Sequence, residues 1–472
     1  MTIYRLIAAC QAGGRPGRRL APLLLALAGS STEAAPQVPL CPGLTIVTAV
    51  SQPSGDYESI KRIESVDSEG IRLKYSSEAP NTGWFANPDE PVIRTVAYRR
   101  VLAKDLVSAS DYQQVFTADA DELIPGTTAI GTSMAVLETL KAVDEATIRI
   151  SLLPAATPLR AGEETQPNAY DFFQGGTIKR LSTVSIPVIV NDRPVELAAV
   201  HARGQVAFED SEFFFLDDEQ NPMTLRMRLG IGAIPPMDPM LADTCAQMRK
   251  DGVPDLLNAC LPEGGDRDTL QVVKISYQCE GPALAGGGGP GGGGPGSAEL
   301  DLPDGGSGGA AGGGGDGGKG GGAGGGSGAG GAGNDGGAAG DQQSGDGGAG
   351  TLEQALEETG RADVYSIFFS FNSDEILEES EPTLAEIANL MRKHPQWRLS
   401  LNGHTDSIAS DSYNLELSRR RANATMRALV ERYGVPEDRL TAAGSGESSP
   451  IDTNDTLEGR ARNRRVELIR FP

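Results

Sequence analysis

The chain has 472 residues with 41 Lys+Arg against 64 Asp+Glu, which gives a net charge of −23. Residues 1–35 carry +3, while residues 36–280, 281–350 and 351–472 carry −14, −6 and −6. No segment after the first is basic, which argues against nucleic-acid binding, because such binding neutralises phosphates with Lys and Arg. No apolar run approaches about 18 residues, so the sequence predicts no transmembrane helix.

The N-terminus has the pattern of a secretory signal. Arg15, Arg18 and Arg19 precede the apolar run Leu20–Ala28, and small residues follow it. A positive stretch, a short apolar core and a small-residue cleavage site are typical of a signal peptide. We therefore predict that residues 1–35 direct export, with an unstructured N-terminus as the alternative.

Removal of that signal would leave an even number of cysteines in the chain, all within residues 36–280: Cys41, Cys245, Cys260 and Cys279. In an oxidising compartment this number favours two disulfides over a metal site. Three pairings are possible. We predict Cys245–Cys260 as a local bridge and Cys41–Cys279 as a bridge between the ends of the segment.

Residues 36–280 show the alternation of apolar and polar residues that is typical of half-buried β-strands. The pattern occurs in four stretches: Ile71/Leu73/Tyr75, Val184/Ile186/Val188/Val190, Leu225/Met227/Leu229 and Val273/Ile275/Tyr277. Turns are predicted at 67–70 and 191–194. A helical spacing predicts one helix, through Ile130, Met134, Leu137 and Leu140. We predict a soluble β-rich domain of unknown function, and an outer-membrane barrel is the alternative.

Residues 281–350 contain 37 of the 62 glycines, which leaves 25 for the other 402 residues. A Gly/Ala/Ser chain with scattered Asp has too little apolar surface to fold, so we predict a disordered linker. Its expected root-mean-square span is about 45–50 Å. The stretch Gly313–Lys319 fits the phosphate-loop pattern formally, but the residue after it is Gly and no strand precedes it, so we assign it no phosphate.

Residues 351–472 alternate between predicted strands and helices. We predict a strand at Tyr365–Phe371, a helix that starts near Pro382, a strand at Arg398–Leu401, a long helix that ends at Gly434, and a closing strand from Val466. The buried stripe predicted for the long helix contains five residues: Leu415, Ala422, Met426, Leu429 and Tyr433.

The loop and the long helix of this segment bring opposite charges together. Asp406 follows the strand, while Asn414, Ser418 and Arg421 lie along one stripe of the helix, since seven residues are about two turns. Asp406 and Arg421 can therefore face each other. A separated carboxylate and guanidinium suit a zwitterion, with its ammonium on Asp406 and its carboxylate on the Arg421 fork. An internal Asp–Arg salt bridge is the alternative.

Several motifs of this segment stand in one order and spacing: Gly403-His404-Thr405-Asp406, Tyr413-Asn414, Leu417-Ser418, Arg421-Ala422, Gly444, Gly446-Glu447, Pro450 and Glu458–Glu467. Over roughly residues 360–472 they resemble the OmpA-like peptidoglycan-binding domain family. The resemblance implies an α/β sandwich of βαβαβ-type topology. It also implies that the ligand is the diaminopimelate of the peptidoglycan peptide stem.

The same resemblance assigns the site residues. Ligand contacts are implied for Asp406, Arg421, Asn414 and Thr405. Supporting roles are implied for Ser418, Arg464 and Arg465. The chain departs from the family pattern at Ser370 and Asn372, where Asp is usual, and near Ala409, where Gly is usual, which bears on loop conformation and affinity.

The sequence thus predicts a multidomain α+β protein with an exported β-rich domain, a linker and a C-terminal OmpA-like domain. We predict non-covalent wall binding on the periplasmic side of the outer membrane. Residues 36–280 would contact the outer membrane or an envelope protein. A barrel protein with a wall-binding domain is the alternative. A wall enzyme is disfavoured, because the chain has no HExxH motif and no Cys–His candidate outside the predicted disulfides. We expect no cofactor and no metal.

Overall fold

The structure is a computed structural model that describes eight stretches: residues 37–52, 55–81, 92–116, 121–151, 173–234, 238–250, 265–279 and 349–471. The predicted signal peptide, Cys260 and nearly all of the predicted linker lie outside the described residues. Within those stretches, we find no helix whose length and hydropathy would let it cross a lipid bilayer.

The N-terminal region is rich in β-structure. Its strands are β1 (Thr45–Ser51), β2 (Tyr57–Asp67), β3 (Gly70–Pro80), β4 (Val92–Leu102), β5 (Asp111–Gln113), β6 (Asp121–Leu123), β7 (Thr127–Thr128), β8 (Glu145–Ser151), β9 (Phe173–Val190), β10 (Arg193–Val206), β11 (Glu209–Leu216), β12 (Thr224–Leu229) and β13 (Asp268–Ser276). Its helices are α1 (Ala103–Ser108), α2 (Met134–Val143) and α3 (Pro239–Lys250).

These strands form one sheet in the order β6-β4-β3-β2-β1-β13-β12-β11-β10-β9-β8-β5-β7. The sheet curls so far that β13 also pairs in parallel with β9. All four stretches predicted from alternation lie on strands, β3, β9, β12 and β13, with only Tyr277 just past the end of β13. The alternating side chains supply two apolar cores, because successive residues of a strand point to opposite faces.

Helix α2 begins later than predicted. Ser133 is its N-cap and accepts a hydrogen bond from the Val136 amide at 3.4 Å, so Ile130 lies before the helix. The Ile130 carbonyl instead accepts the Thr224 amide of β12 at 3.0 Å. Ile130 is buried nonetheless, which explains why it fitted the helical spacing.

A disulfide joins Cys41 to Cys279, across 238 residues of sequence. It links the segment before β1 to the segment after β13, two strands that pair with each other. Cys245, on α3, is also disulfide-bonded. The bridge predicted between the two ends of this region is therefore present.

The C-terminal region is a mixed α/β domain. Its elements are α4 (Ala349–Glu358), β14 (Arg361–Val364), α5 (Glu381–Lys393), β15 (Arg398–His404), α6 (Asp411–Glu431), β16 (Leu440–Gly446), α7 (Leu457–Asn463) and β17 (Val466–Phe471). The sheet order is β14-β17-β15-β16, in which β15 and β16 are parallel and the other pairs antiparallel. Helices α5 and α6 pack their apolar faces on this sheet around buried residues that include Ile387, Leu401 and Leu429.

Two predictions for this domain are wrong. Tyr365–Phe371 is not a strand: the amides of Tyr365 and Ser366 donate to the Asp192 carboxylate at 2.7 and 3.0 Å, so these donors are not available to a neighbouring strand. Leu415 is 51 % exposed, because α6 turns Asn414 and Ser418 toward the sheet instead.

The two regions meet at a small apolar cluster. Its buried members come from the sheet of the N-terminal region and from the C-terminal domain: Val47, Ala49, Ile60, Val273, Phe368 and Ala461. Val47 of β1 lies opposite Ile60 of β2 and Lys274 of β13, so these three residues share one face of the sheet. That face covers part of the C-terminal domain, and we call it the docking face.

Candidate functional site

The site lies where β15 ends and α6 begins. Helix α6 approaches the sheet so closely that a Cβ on Gly403 would stand 2.2 Å from the Ser418 carbonyl oxygen. A Cβ on Gly444 of β16 would stand 2.4 Å from the Arg419 amide nitrogen. Only glycine fits at these two positions, which explains why both occur in the motif set. The close approach holds the loop between β15 and α6 against both elements.

Asp406 lies in that loop, and its side chain is 14 % exposed. One carboxylate oxygen accepts the Ile408 amide at 3.2 Å. The other accepts a hydrogen bond from Nη1 of Arg464 at 2.5 Å. The direct partner of Asp406 is therefore Arg464, which was predicted only to support the site, and not Arg421.

Arg421 projects from the middle of α6, and its guanidinium is held by main-chain carbonyls. Its Nε donates to Ser373 O at 2.9 Å and its Nη2 to Ser370 O at 3.5 Å, while the ring of Phe369 lies 5.0 Å away. Among the described residues, no carboxylate oxygen lies within 4.0 Å of this guanidinium. Burial and then the charge of Arg464 lower the pKa of Arg421 to about 10, so it stays charged at neutral pH.

Two predicted ligand contacts are buried beside Asp406. Asn414 is 2 % exposed and donates to the carbonyls of Asp406 and Ala409 at 3.1 and 3.2 Å, and to Glu447 at 2.5 Å. Thr405 is 4 % exposed. Its amide donates to Gly446 O at 2.9 Å, and its hydroxyl has no hydrogen-bond partner among the described residues.

The remaining predicted supporting residues differ in what they contact. The Ser418 hydroxyl donates to Leu415 O at 2.8 Å and accepts the Gly446 amide at 2.9 Å, so it ties α6 to β16. Arg465 is 7 % exposed and donates to Asp363 at 2.7 Å. Arg465 therefore stabilises the β14–β17 side of the domain, away from the Asp406 carboxylate.

Arg464 connects the site to the N-terminal region. Its second Nη pairs with the Glu58 carboxylate of β2, on the docking face. Burial alone would lower the pKa of Arg464, but Glu58 and Asp406 raise it above its ordinary value. Burial likewise tends to raise the pKa of Glu58, but Arg464, Lys274 and Arg421 hold it at about 2. Sequence analysis missed Glu58, because no local pattern links residues 406 positions apart.

A second polar group stands outside this site. Among the described residues, Glu353, Glu357 and His394 bring one ligand atom each to within 4.8 Å of one another. Lys393 already pairs with Glu353 at 2.7 Å, and His394 stacks on Trp397 with ring centroids 3.7 Å apart. We read this group as an ion-pair cluster that joins α4 to α5, and we assign it no metal.

The arrangement suits recognition of a zwitterion or an anion. Asp406 lies in the loop before α6, and Arg421 projects from α6 with no carboxylate within 4.0 Å among the described residues. Fork-like Arg contacts to carboxylates are strong and directional. The fold defines a mixed α/β module that carries this charged site between a strand and a helix. Residues 368–464 match the model of the OmpA family, so this part of the chain is an OmpA-family domain.

Several known proteins are similar to this domain. Outer membrane porin F of Pseudomonas aeruginosa is 46% identical over 99 residues, which are 21% of this chain and 28% of that protein. The putative lipoprotein YfiB of Escherichia coli is 36% identical over 104 residues, 22% of this chain and 65% of that protein.

Among solved structures, the peptidoglycan-associated lipoprotein of Burkholderia pseudomallei is 30% identical with a TM-score of 0.21, over 22% of this chain and 88% of that one. The chain spans less than a third of the outer membrane porins that it matches.

Proposed function

We propose that the C-terminal domain binds peptidoglycan non-covalently by recognising the zwitterionic end of diaminopimelate. Asp406 accepts the ligand ammonium, and Arg421 binds its carboxylate. The OmpA-family domain at 368–464 supports association with peptidoglycan. The chemistry is binding without catalysis, and the domain thereby anchors the N-terminal region to the cell wall.

One observation carries this proposal. Arg421 is a part-buried guanidinium that is positioned by the carbonyls of Ser370 and Ser373 but pairs with no carboxylate of the described residues. A charge taken out of water is costly unless it is paired, so such a group calls for an anionic ligand. The Thr405 hydroxyl, which has no hydrogen-bond partner in the described part of the chain, adds a buried polar atom next to Asp406 that a ligand can engage.

We further propose that the protein works on the periplasmic side of the outer membrane. Several relatives matched by the domain are named as outer membrane proteins or lipoproteins. Export by residues 1–35 would bring the chain to that compartment. The N-terminal region would then contact the membrane or another envelope protein.

The test is a sacculus pull-down of the full mature chain, repeated with free meso-diaminopimelate as competitor. Asp406→Asn removes the charge that faces the ligand ammonium. Loss of one partner of a desolvated charge pair costs about 2–5 kcal/mol, so binding should fall by roughly 30-fold or more. Asp411→Asn, in the exposed first turn of α6, is the matched control and should bind as wild type. Equal binding by wild type, Asp406→Asn and Asp411→Asn, or no competition by millimolar diaminopimelate, contradicts the proposal.

A further inference from the structure

We propose that the N-terminal region closes over the ligand site, with the Glu58 carboxylate competing with the ligand for Arg464, the guanidinium that also holds Asp406. This inference rests on the proposed function, because it concerns the regulation of that same site. Docked and undocked chains would then differ in their affinity for the wall.

The first support is the position of Glu58. It lies on β2 opposite Ala49 of β1, and so on the docking face. Its carboxylate pairs with Arg464 while Arg464 also donates to Asp406. One guanidinium therefore joins the docking face directly to the proposed ammonium-binding carboxylate. The Glu58 side chain is 29 % exposed, so the contact lies at the mouth of the site and not in the core.

The docking face also carries the charges of the proposed ligand. Glu58 offers a carboxylate, and Lys274 of β13 offers an ammonium that is 6 % exposed and lies 5.8 Å from the ring of Phe368. The charges of both residues act on Arg421, Glu58 attractively and Lys274 repulsively. A zwitterionic ligand that enters the site must displace the Glu58 carboxylate from Arg464 or share Arg464 with it.

Ion pairs surround the contact and fix its orientation. Arg460 of α7 pairs with Asp56 at 2.8 Å, and Arg226 of β12 pairs with Glu458. Further pairs link the two regions: Lys74 with Glu378 and Glu379, and Arg94 with Glu375. Each region supplies both positively and negatively charged side chains. An arbitrary rotation of one region against the other would therefore bring like charges together.

The small apolar cluster and the part-exposed ion pairs make docking of the two regions reversible. The apolar part has only six buried residues, and part-exposed ion pairs contribute little each and are screened by salt. A ligand that binds only the open state has its apparent affinity reduced by the open fraction. A docked population of about 90 % would therefore weaken ligand binding about tenfold.

The experiment loosens the contact without touching the site. In the full mature chain, Lys74→Glu places a like charge against Glu378 and Glu379. Lys179→Glu is the matched control, since Lys179 pairs with Glu145 inside the N-terminal region. By calorimetry with meso-diaminopimelate, Lys74→Glu should tighten binding about tenfold, and Lys179→Glu should bind as wild type. Glu58→Gln should also tighten binding, and it is the second variant if Lys74→Glu does not fold.

A second readout follows the docked state itself. The amides of Tyr365 and Ser366 donate to Asp192 across the contact. Saturating diaminopimelate should therefore raise their hydrogen exchange in the wild-type chain. Measurable binding that is equal in wild type and in the folded variants, or that leaves these amides protected, overturns closure. Absence of binding in every variant, including the opened ones, instead refutes the proposed function.

Discussion

Two arginines, one in each region, show how differently the same side chain is used. Arg99 of the N-terminal sheet is fully buried and pairs with Glu122, whose side chain is also fully buried. It donates further to the carbonyls of Gln113 and Val115 and lies 3.9 Å from the ring of Phe116. Arg421 has the carbonyls and the aromatic ring but no carboxylate among the described residues.

Under the proposed function, the difference separates a structural arginine from a ligand-binding one. A guanidinium whose charge is neutralised by its own protein holds strands together and has no capacity left for a ligand. A guanidinium that is oriented by carbonyls keeps its charge for a partner from outside. The missing carboxylate is thus the informative feature of Arg421. The following experiments test whether this distinction holds.

The largest effect is expected at Arg99. Arg99→Met leaves the Glu122 carboxylate buried without its cation, and removal of one partner of a buried pair typically costs about 3–5 kcal/mol. Urea unfolding should show this loss in the free energy of unfolding. The neighbour Arg100 pairs with the exposed Glu69 at 2.7 Å, so Arg100→Met should change stability by about 1 kcal/mol or less. Similar losses in the two variants would contradict a structural role specific to Arg99.

Arg421→Ala should weaken ligand binding and leave folding intact, whereas Arg99→Met lowers stability. The expected loss is about 2–5 kcal/mol, or roughly 30-fold or more in affinity for diaminopimelate. Arg421→Lys should restore little, because an ammonium cannot reproduce the two-pronged contact. Calorimetry measures binding, and near-ultraviolet circular dichroism checks the fold.

The control for Arg421 is the next residue toward the N-terminus. Arg420 pairs with Asp374 at 3.4 Å and is more than a third exposed. Arg420→Ala should therefore bind as wild type. If it lost as much affinity as Arg421→Ala, the effect would reflect general positive charge on α6 and not a specific carboxylate contact.

The disulfide provides a test that should affect only one region. Replacing Cys41 and Cys279 with serine opens a loop of 238 residues and should cost about 2–4 kcal/mol of stability. Hydrogen exchange should report the loss in β1 and β13 and leave β15 unchanged. Equal loosening of β15 would mean that the two regions unfold as one unit.

The smallest effect is expected from two histidines, the buried His404 and the part-buried His201. Burial lowers the pKa of His404, assisted by Arg465 and opposed by Glu467, and burial also lowers the pKa of His201. The unfolded chain therefore binds protons more readily than the folded one. Stability should fall as the pH drops from about 6.5 through the lower folded-state values.

Substitution of each histidine separates the contribution of His404 to the pH dependence of stability from that of His201. Urea midpoints at pH 7 and pH 5 should differ less in His404→Gln than in wild type. His201→Gln should reduce the difference for the N-terminal region only. An unchanged pH dependence in both variants would mean that other groups dominate it.

Much of the fold could be predicted from local pattern. Alternation located β3, β9, β12 and β13, because a half-buried strand must place apolar residues on one face. Pro382 in the first turn of α5 and Gly434 after α6, at φ +69°, agree with ordinary helix boundaries. The strand predicted at 365–371 is wrong because a local pattern carries no information about hydrogen bonds to distant residues. Its amides are satisfied by Asp192, about 170 residues earlier.

The candidate residues of the site could be listed from the motif spacing, since Asp406, Asn414 and Arg421 belong to a motif set with fixed spacing. Which of them are paired depends on the packing of distant parts of the chain. That packing joined Arg464 to Asp406, left Arg421 with carbonyls, and brought Glu58 to the site from 406 residues away. The physical reason is that spacing along a helix or strand sets which residues share a face, whereas charge pairing depends on which surfaces pack together.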